Sequence, residues 1–205
     1  MAVLTLVLYL LFVGVLFGLR SVVMRSRTGS SGWRGISGRP GSAEWLGGVL
    51  FALALLLGLA APICDLAGVA TAIDALDRLP LHVLGLLLVA AGTALSLAAQ
   101  LAMGDSWRVG VQEGERTELV TDGPYAVVRN PFFAALLPAA VGFALLVPNV
   151  VALLALLALI VALELQTRVV EEPYLLRAHG ATYADYAARV GRFAPALGRL
   201  RASRR

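Results

Sequence analysis

Two adjacent carboxylates, Glu171 and Glu172, and one arginine, Arg129, are the side chains whose types and spacing could hold a polar reactant. Arg129 belongs to a first polar box, Asp122–Phe133, reading DGPYAVVRNPFF. The glutamates belong to a second, Arg168–Tyr186, reading RVVEEPYLLRAHGATYADY. Between the boxes, Phe132–Leu163 carries no charge. Charged groups avoid the bilayer edge unless they serve a head group, a ligand or a partner. If the apolar stretch turns back on itself, Arg129 and Glu172 become neighbours. Two adjacent carboxylates raise each other's cost of ionisation unless a cation or a donor-rich ligand answers them, as a sulfonium or ribose hydroxyls would. The pairing of the boxes predicts a polar ligand held at the membrane surface.

Each residue alone has a plainer reading. Arg129 before a span could snorkel to head groups. Glu171 and Glu172 could be solvated. Pro131 is an ordinary first-turn residue of a helix, and Gly123-Pro124 an ordinary turn signal. Trp107, Tyr125 and Tyr174 could be interfacial anchors. It is their gathering at the two ends of one apolar stretch that favours a site.

Composition defines the scaffold that must position these groups. Hydrophobic residues make up 59% of the chain and charged ones 15%, against about 45–50% and about 25% in soluble domains. Mean hydropathy is +0.82. These values predict an integral membrane protein. All 17 basic residues are Arg, which reads as the base-composition bias of a GC-rich bacterium. The one cysteine, Cys64, excludes an internal disulfide and a multi-cysteine metal site. His82 and His179 lie far apart in sequence and suggest no metal cluster. Neither a metal nor a nucleic-acid partner is expected, and membrane lipids are.

Ala2–Leu19, Trp45–Cys64 and Leu79–Met103 each suit a crossing of a core about 30 Å thick at about 1.5 Å per residue. Phe132–Leu163 is too long for one crossing, and Pro148-Asn149 marks a break at its middle. It divides into Phe132–Val147 and Val150–Leu163, the short arms of a hairpin. With that hairpin, every arginine except Arg78 falls on one side of the membrane, which the positive-inside rule makes cytoplasmic. The expected fold is all-α: five transmembrane helices, the last two a helical hairpin, and a cytoplasmic C-terminal helical segment. The N-terminus lies outside a bacterial inner membrane. Residues 1–103 hold three spans and an Arg/Gly/Ser loop at 20–44, within which Arg25–Gly41 reads as flexible. Residues 104–205 hold both boxes and the hairpin at 132–163. Gly104–Asn130 reads as an ordered lid or loop with a little extended structure. Glu164–Ala187 reads as helix interrupted at Gly180, with Tyr183 and Tyr186 on one face.

The motifs GPY-x3-RNP-x-F, EE-x4-R and G-x2-Y-x2-Y-x3-V-x-R-x2-P (Gly180–Pro195) resemble those of the isoprenylcysteine carboxyl methyltransferase family and its wider phospholipid-methyltransferase relatives. The resemblance covers about Gly104 to Pro195. Members usually carry Arg-His-Pro-x-Tyr where this chain has Arg129-Asn130-Pro131-Phe132-Phe133. Asn130 can hydrogen-bond but cannot titrate, and Phe133 has no hydroxyl. The resemblance implies S-adenosylmethionine bound at the cytoplasmic face. Gly123, Tyr125, Arg129, Asn130, Pro131, Glu171, Glu172, Tyr183 and Tyr186 would hold it, making 104–205 the cofactor-binding region. It also implies a lipophilic acceptor arriving sideways from the bilayer. Transfer from a sulfonium is an in-line displacement, so positioning and charge placement can supply most of the catalysis. Arg129, Arg108 and Glu172 are the catalytic candidates. A carboxylate acceptor needs no base and could be held by Arg129 or Arg108. A thiol, amine or hydroxyl acceptor would need Glu171, Glu172 or a tyrosine to take its proton. A small isoprenoid or lipid-like acid is favoured. Two readings compete: an NADPH-dependent membrane reductase of related architecture, expected to have more spans, and a non-catalytic membrane scaffold.

Overall fold

The computed structural model describes residues 1–29, 31, 35–104 and 119–200, and the regular structure among them is entirely helical. Helix α1 (Ala2–Val13) passes through a π-helical stretch, Gly14–Leu19, into α2 (Arg20–Thr28). The helix therefore runs past the apolar segment and takes up Arg25 and Arg27, expected in a loop, on its last turn. Cations there oppose the partial negative charge of a helix C-terminus. Gly29 then ends the helix at φ 76°, a conformation that favours glycine.

Helices α3 (Ala43–Leu66) and α4 (Leu79–Met103) follow. The single turn α5 (Pro124–Val127) leads to α6 (Pro131–Leu146) and α7 (Val150–Leu165). A second π-helical stretch, Gln166–Glu171, joins α7 to α8 (Glu172–Arg189), which bends at Gly180. Four helical runs among the described residues are long and apolar enough to cross a membrane: Ala2–Arg27, Ala43–Leu66, Leu79–Met103 and Val150–Arg189. The apolar part of the last is α7. Helix α6 is apolar and has 16 residues, as does α7, about 24 Å at about 1.5 Å each, in keeping with the short hairpin arms expected.

The hairpin breaks where Pro148-Asn149 predicts. The Asn149 side chain accepts from the Ala152 N–H at 3.0 Å, capping α7, and donates to the Ala61 carbonyl at 3.0 Å. The Ile73 N–H donates to the Pro148 carbonyl at 2.7 Å, so the α3–α4 connection covers the hairpin tip. A turn in apolar surroundings needs such partners. The two arms pack mainly on different helices, α6 on α4 and α7 on α3. The α4–α6 contact depends on small residues: a Cβ at Gly92 would lie 2.7 Å from the Ala139 Cβ and 2.8 Å from the Ala135 carbonyl. Helices in lipid gain their attraction from such close backbone approach. Tyr9 and Phe12 meet Phe143 edge-on at 5.2 and 5.3 Å, closing the core between α1 and α6.

Candidate functional site

The first box is fastened to the segment that follows α8, at Gly191 and Arg192. Gly123 (φ 57°) and Pro124 start α5, and Val128 leaves it in an extended conformation that bridges to Gly191. The Arg129 N–H donates to the Gly191 carbonyl at 2.8 Å, and the Asn130 N–H to the Arg192 carbonyl at 3.1 Å. Gly191 permits this because any Cβ would collide with the backbone of Ala194, Ala196 and Leu197.

This framing buries Arg129, 5% exposed, and uses its guanidinium fully at both terminal nitrogens. Nη1 donates to the carbonyls of Ala187 (2.6 Å) and Val190 (3.0 Å). Nη2 donates to Glu172 Oε1 (2.6 Å) and the Gly198 carbonyl (2.9 Å). Glu172, 6% exposed, also receives Arg192: Nε to Oε1 and Nη2 to Oε2, both at 2.8 Å. Burial alone would raise the Glu172 carboxyl. Hydrogen bonds from Arg192 and Arg129, with their charges, outweigh burial and hold it below the usual carboxylate range. The hydrogen bonds that Arg192 donates to Glu172 in turn raise Arg192. Arg129 precedes α6 and Glu172 follows α7, so their contact puts both outer ends of the hairpin at one end of the bundle.

Glu171 is in a different state. Its Oε1 accepts from Gln166 Nε2 at 3.3 Å. Burial pushes it up to about 7, with the Gln166 hydrogen bond opposing and the Glu172 charge adding. Glu172 is therefore a fixed anion, while Glu171 can exchange a proton near neutrality. Tyr125, Tyr183 and Tyr186 are all buried. The Tyr186 hydroxyl donates to the Tyr125 carbonyl at 2.6 Å, tying α8 to α5. Burial pushes Tyr186 up to about 12, with the Arg129 charge opposing. Burial also raises Tyr125, with Glu171 and Tyr186 adding. Tyr125 is thus a core residue and no interfacial anchor. Gln166, Phe132, Phe133, Phe51, Gly47 and Gly48 line a small groove of about 60 Å³.

The structure brings together Tyr125, Arg129, Glu172, Tyr183 and Tyr186. Asn130 stands next to them with its Nδ2 3.4 Å from the Arg192 carbonyl, and Pro131 is buried at the start of α6. Gly123 is exposed on the turn. Arg108 and Trp107 lie outside the described residues, as does most of the expected lid. Two expectations change. The glutamate pair needs no external cation at Glu172, because two arginines of the chain answer it. Arg129 has no terminal N–H left for an acceptor carboxylate. Arg192 was not singled out as a site residue, although V-x-R-x2-P contains it. That motif names no partner, and the pairing to Glu172 exists only in three dimensions.

A family model described as phospholipid methyltransferase matches residues 80–182, from the start of α4 to the middle of α8. No curated protein matches.

Proposed function

The chain belongs to the phospholipid methyltransferase family, and on that premise we propose that it methylates a lipophilic, isoprenoid or lipid-like acceptor with S-adenosylmethionine. The reaction would take place at the arginine-rich end of the bundle, on the cytoplasmic face of a bacterial inner membrane, with the N-terminus outside and the hairpin completing five crossings. The buried Arg129–Glu172–Arg192 cluster carries this reading, because it locks both polar boxes into one site where the chain would otherwise hold unpaired charges.

The donor set suits a nucleoside sulfonium. Among the described residues, a Cβ built at Gly123 would meet only Ala102, at 4.0 Å, which suits close approach of a ligand to the turn. An ionised Glu171 can answer a positive charge or accept from ribose hydroxyls. Gly123, Tyr125, Asn130, Pro131, Glu171 and Tyr183 would surround the cofactor, with Arg129, Glu172 and Tyr186 fixing the frame. Bound S-adenosylmethionine would supply the electrophilic methyl group. The chain's own work is orientation, exclusion of water and charge placement.

A lipid carboxylate would need a cation, and Arg108 is then the candidate, since Arg129 is committed to Ala187, Val190, Glu172 and Gly198. That commitment favours a second reading of the acceptor: a thiol, hydroxyl or amine whose proton passes to Glu171.

Calorimetry on the detergent-solubilised protein with S-adenosylhomocysteine and NADPH tests the proposal. S-adenosylhomocysteine at about 100 times its dissociation constant should stabilise the fold by about 2.7 kcal/mol. Binding of NADPH alone would support the reductase reading, and binding of neither the scaffold reading.

A further inference from the structure

Arg20 is the first charge after the apolar run of α1, where an arginine ordinarily extends to lipid head groups. Here it is 7% exposed and turned inward. Its Nη2 donates to the carbonyls of Gln100 (3.1 Å) and Gly104 (2.6 Å), at the end of α4. Those carbonyls belong to the last turn, which has no helical N–H to pair with. Gln100 is 1% exposed and returns the contact, its Nε2 donating to the Leu16 carbonyl at 2.8 Å. Leu16 lies in the π-helical stretch Gly14–Leu19. A π-helical turn shifts the backbone ladder by one residue and recurs at functional positions. Three features meet here: a buried arginine, a buried glutamine and an altered helical register.

We propose that Arg20 and Gln100 form a clasp between α4 and the junction of the π-helical stretch Gly14–Leu19 with α2, and that this clasp positions the first polar box. The last turn of α4 lies beside that box: α4 contacts α5, Ala102 stands 4.0 Å from where a Cβ on Gly123 would be, and Tyr186 of α8 is bonded to the Tyr125 carbonyl. Arg20 thus acts as a C-cap supplied from another helix. It and Gln100 are positioning residues for the methyltransferase site, and this role rests on that reading.

The test uses the full chain in detergent, with Arg20→Met, Arg20→Lys and Gln100→Leu. Hydrogen exchange is read at the amides of Tyr125–Asn130 and, as a remote control, at Leu153 by the hairpin tip. S-adenosylhomocysteine affinity is read by calorimetry. Arg20→Met and Gln100→Leu should speed exchange in the box and leave Leu153 unchanged. They should weaken affinity about tenfold, since sub-ångström displacement of a site is expensive. Arg20→Lys should recover part of both. Unchanged exchange and affinity in folded Arg20→Met would overturn the clasp, and so would equal acceleration at the box and at Leu153. Should Arg20→Met fail to fold, Arg20→Gln is read against the same outcomes. A parent protein that binds no S-adenosylhomocysteine would refute the methyltransferase reading, and the exchange comparison would then decide the clasp alone.

Discussion

Arg129 and Arg192 share one carboxylate, and their roles separate under mutation. Arg129→Ala leaves Glu172 half answered in a buried place and frees four acceptors. Loss of one partner of a buried pair costs about 3–5 kcal/mol, which chemical denaturation of the purified protein would measure. Arg129→Lys should recover only part of this, because an ammonium cannot reproduce the planar fork. A lysine variant as stable as the parent would contradict the bonding described. Glu171 and Glu172 predict opposite pH behaviour. The folded protein raises Glu171 from 4.5 to about 7, so the stability it contributes is complete in acid and is lost as pH rises through that interval. Glu172 is lowered, so its contribution is present above its unfolded value and is lost as pH falls through the folded one. Glu171→Gln should therefore flatten the fall in melting temperature between pH 5 and pH 8, and an unchanged slope would count against the assignment. At this scale the sequence revealed that Arg129 and Glu172 meet, because a hairpin forces its flanks together. It did not reveal that Arg192 would complete the pair, since V-x-R-x2-P has no partner until Gly191 turns the chain beneath the first box.

Among the elements, the apolar helices, four of them in runs of spanning length, were legible from hydropathy, and the hairpin break from Pro148-Asn149. The π-helical stretches were not, because a one-residue change in register leaves no mark on composition, in the apolar GVLFGL or in the mixed QTRVVE. Nor were the partners of the two arms, since uniformly apolar helices show no preferred face. Two substitutions test the packing. Asn149→Ala removes a helix cap and the side-chain bond to the Ala61 carbonyl, for a cost of about 1–2 kcal/mol. Gly92→Leu must push α6 away from α4, because even a methyl group would overlap Ala139. It should destabilise by about 1–3 kcal/mol or more. Thermal unfolding followed by circular dichroism would record both, and a neutral Gly92→Leu would refute the close approach of α4 and α6.

For the molecule as a whole, arginine asymmetry is the physical basis of the proposed orientation. In a Cys64→Ser background, a cysteine at Asp74 should react with an impermeant reagent from outside, and one at Arg199 only after permeabilisation. Labelling of both from one side would eliminate the hairpin crossing. The helix pairing has a consequence for biogenesis. Helices α3 and α4 leave the ribosome before α7 and α6, the partners that cover them, so the early helices must reside in lipid with these contacts unmade. Assembly then waits for the C-terminal half, whose arrival closes the α4–α6 and α3–α7 pairs and brings the Arg129–Glu172–Arg192 cluster into being. A nascent chain halted before α6 would be inserted but incomplete, exposed to quality-control proteases until its own later residues supplied the missing surfaces.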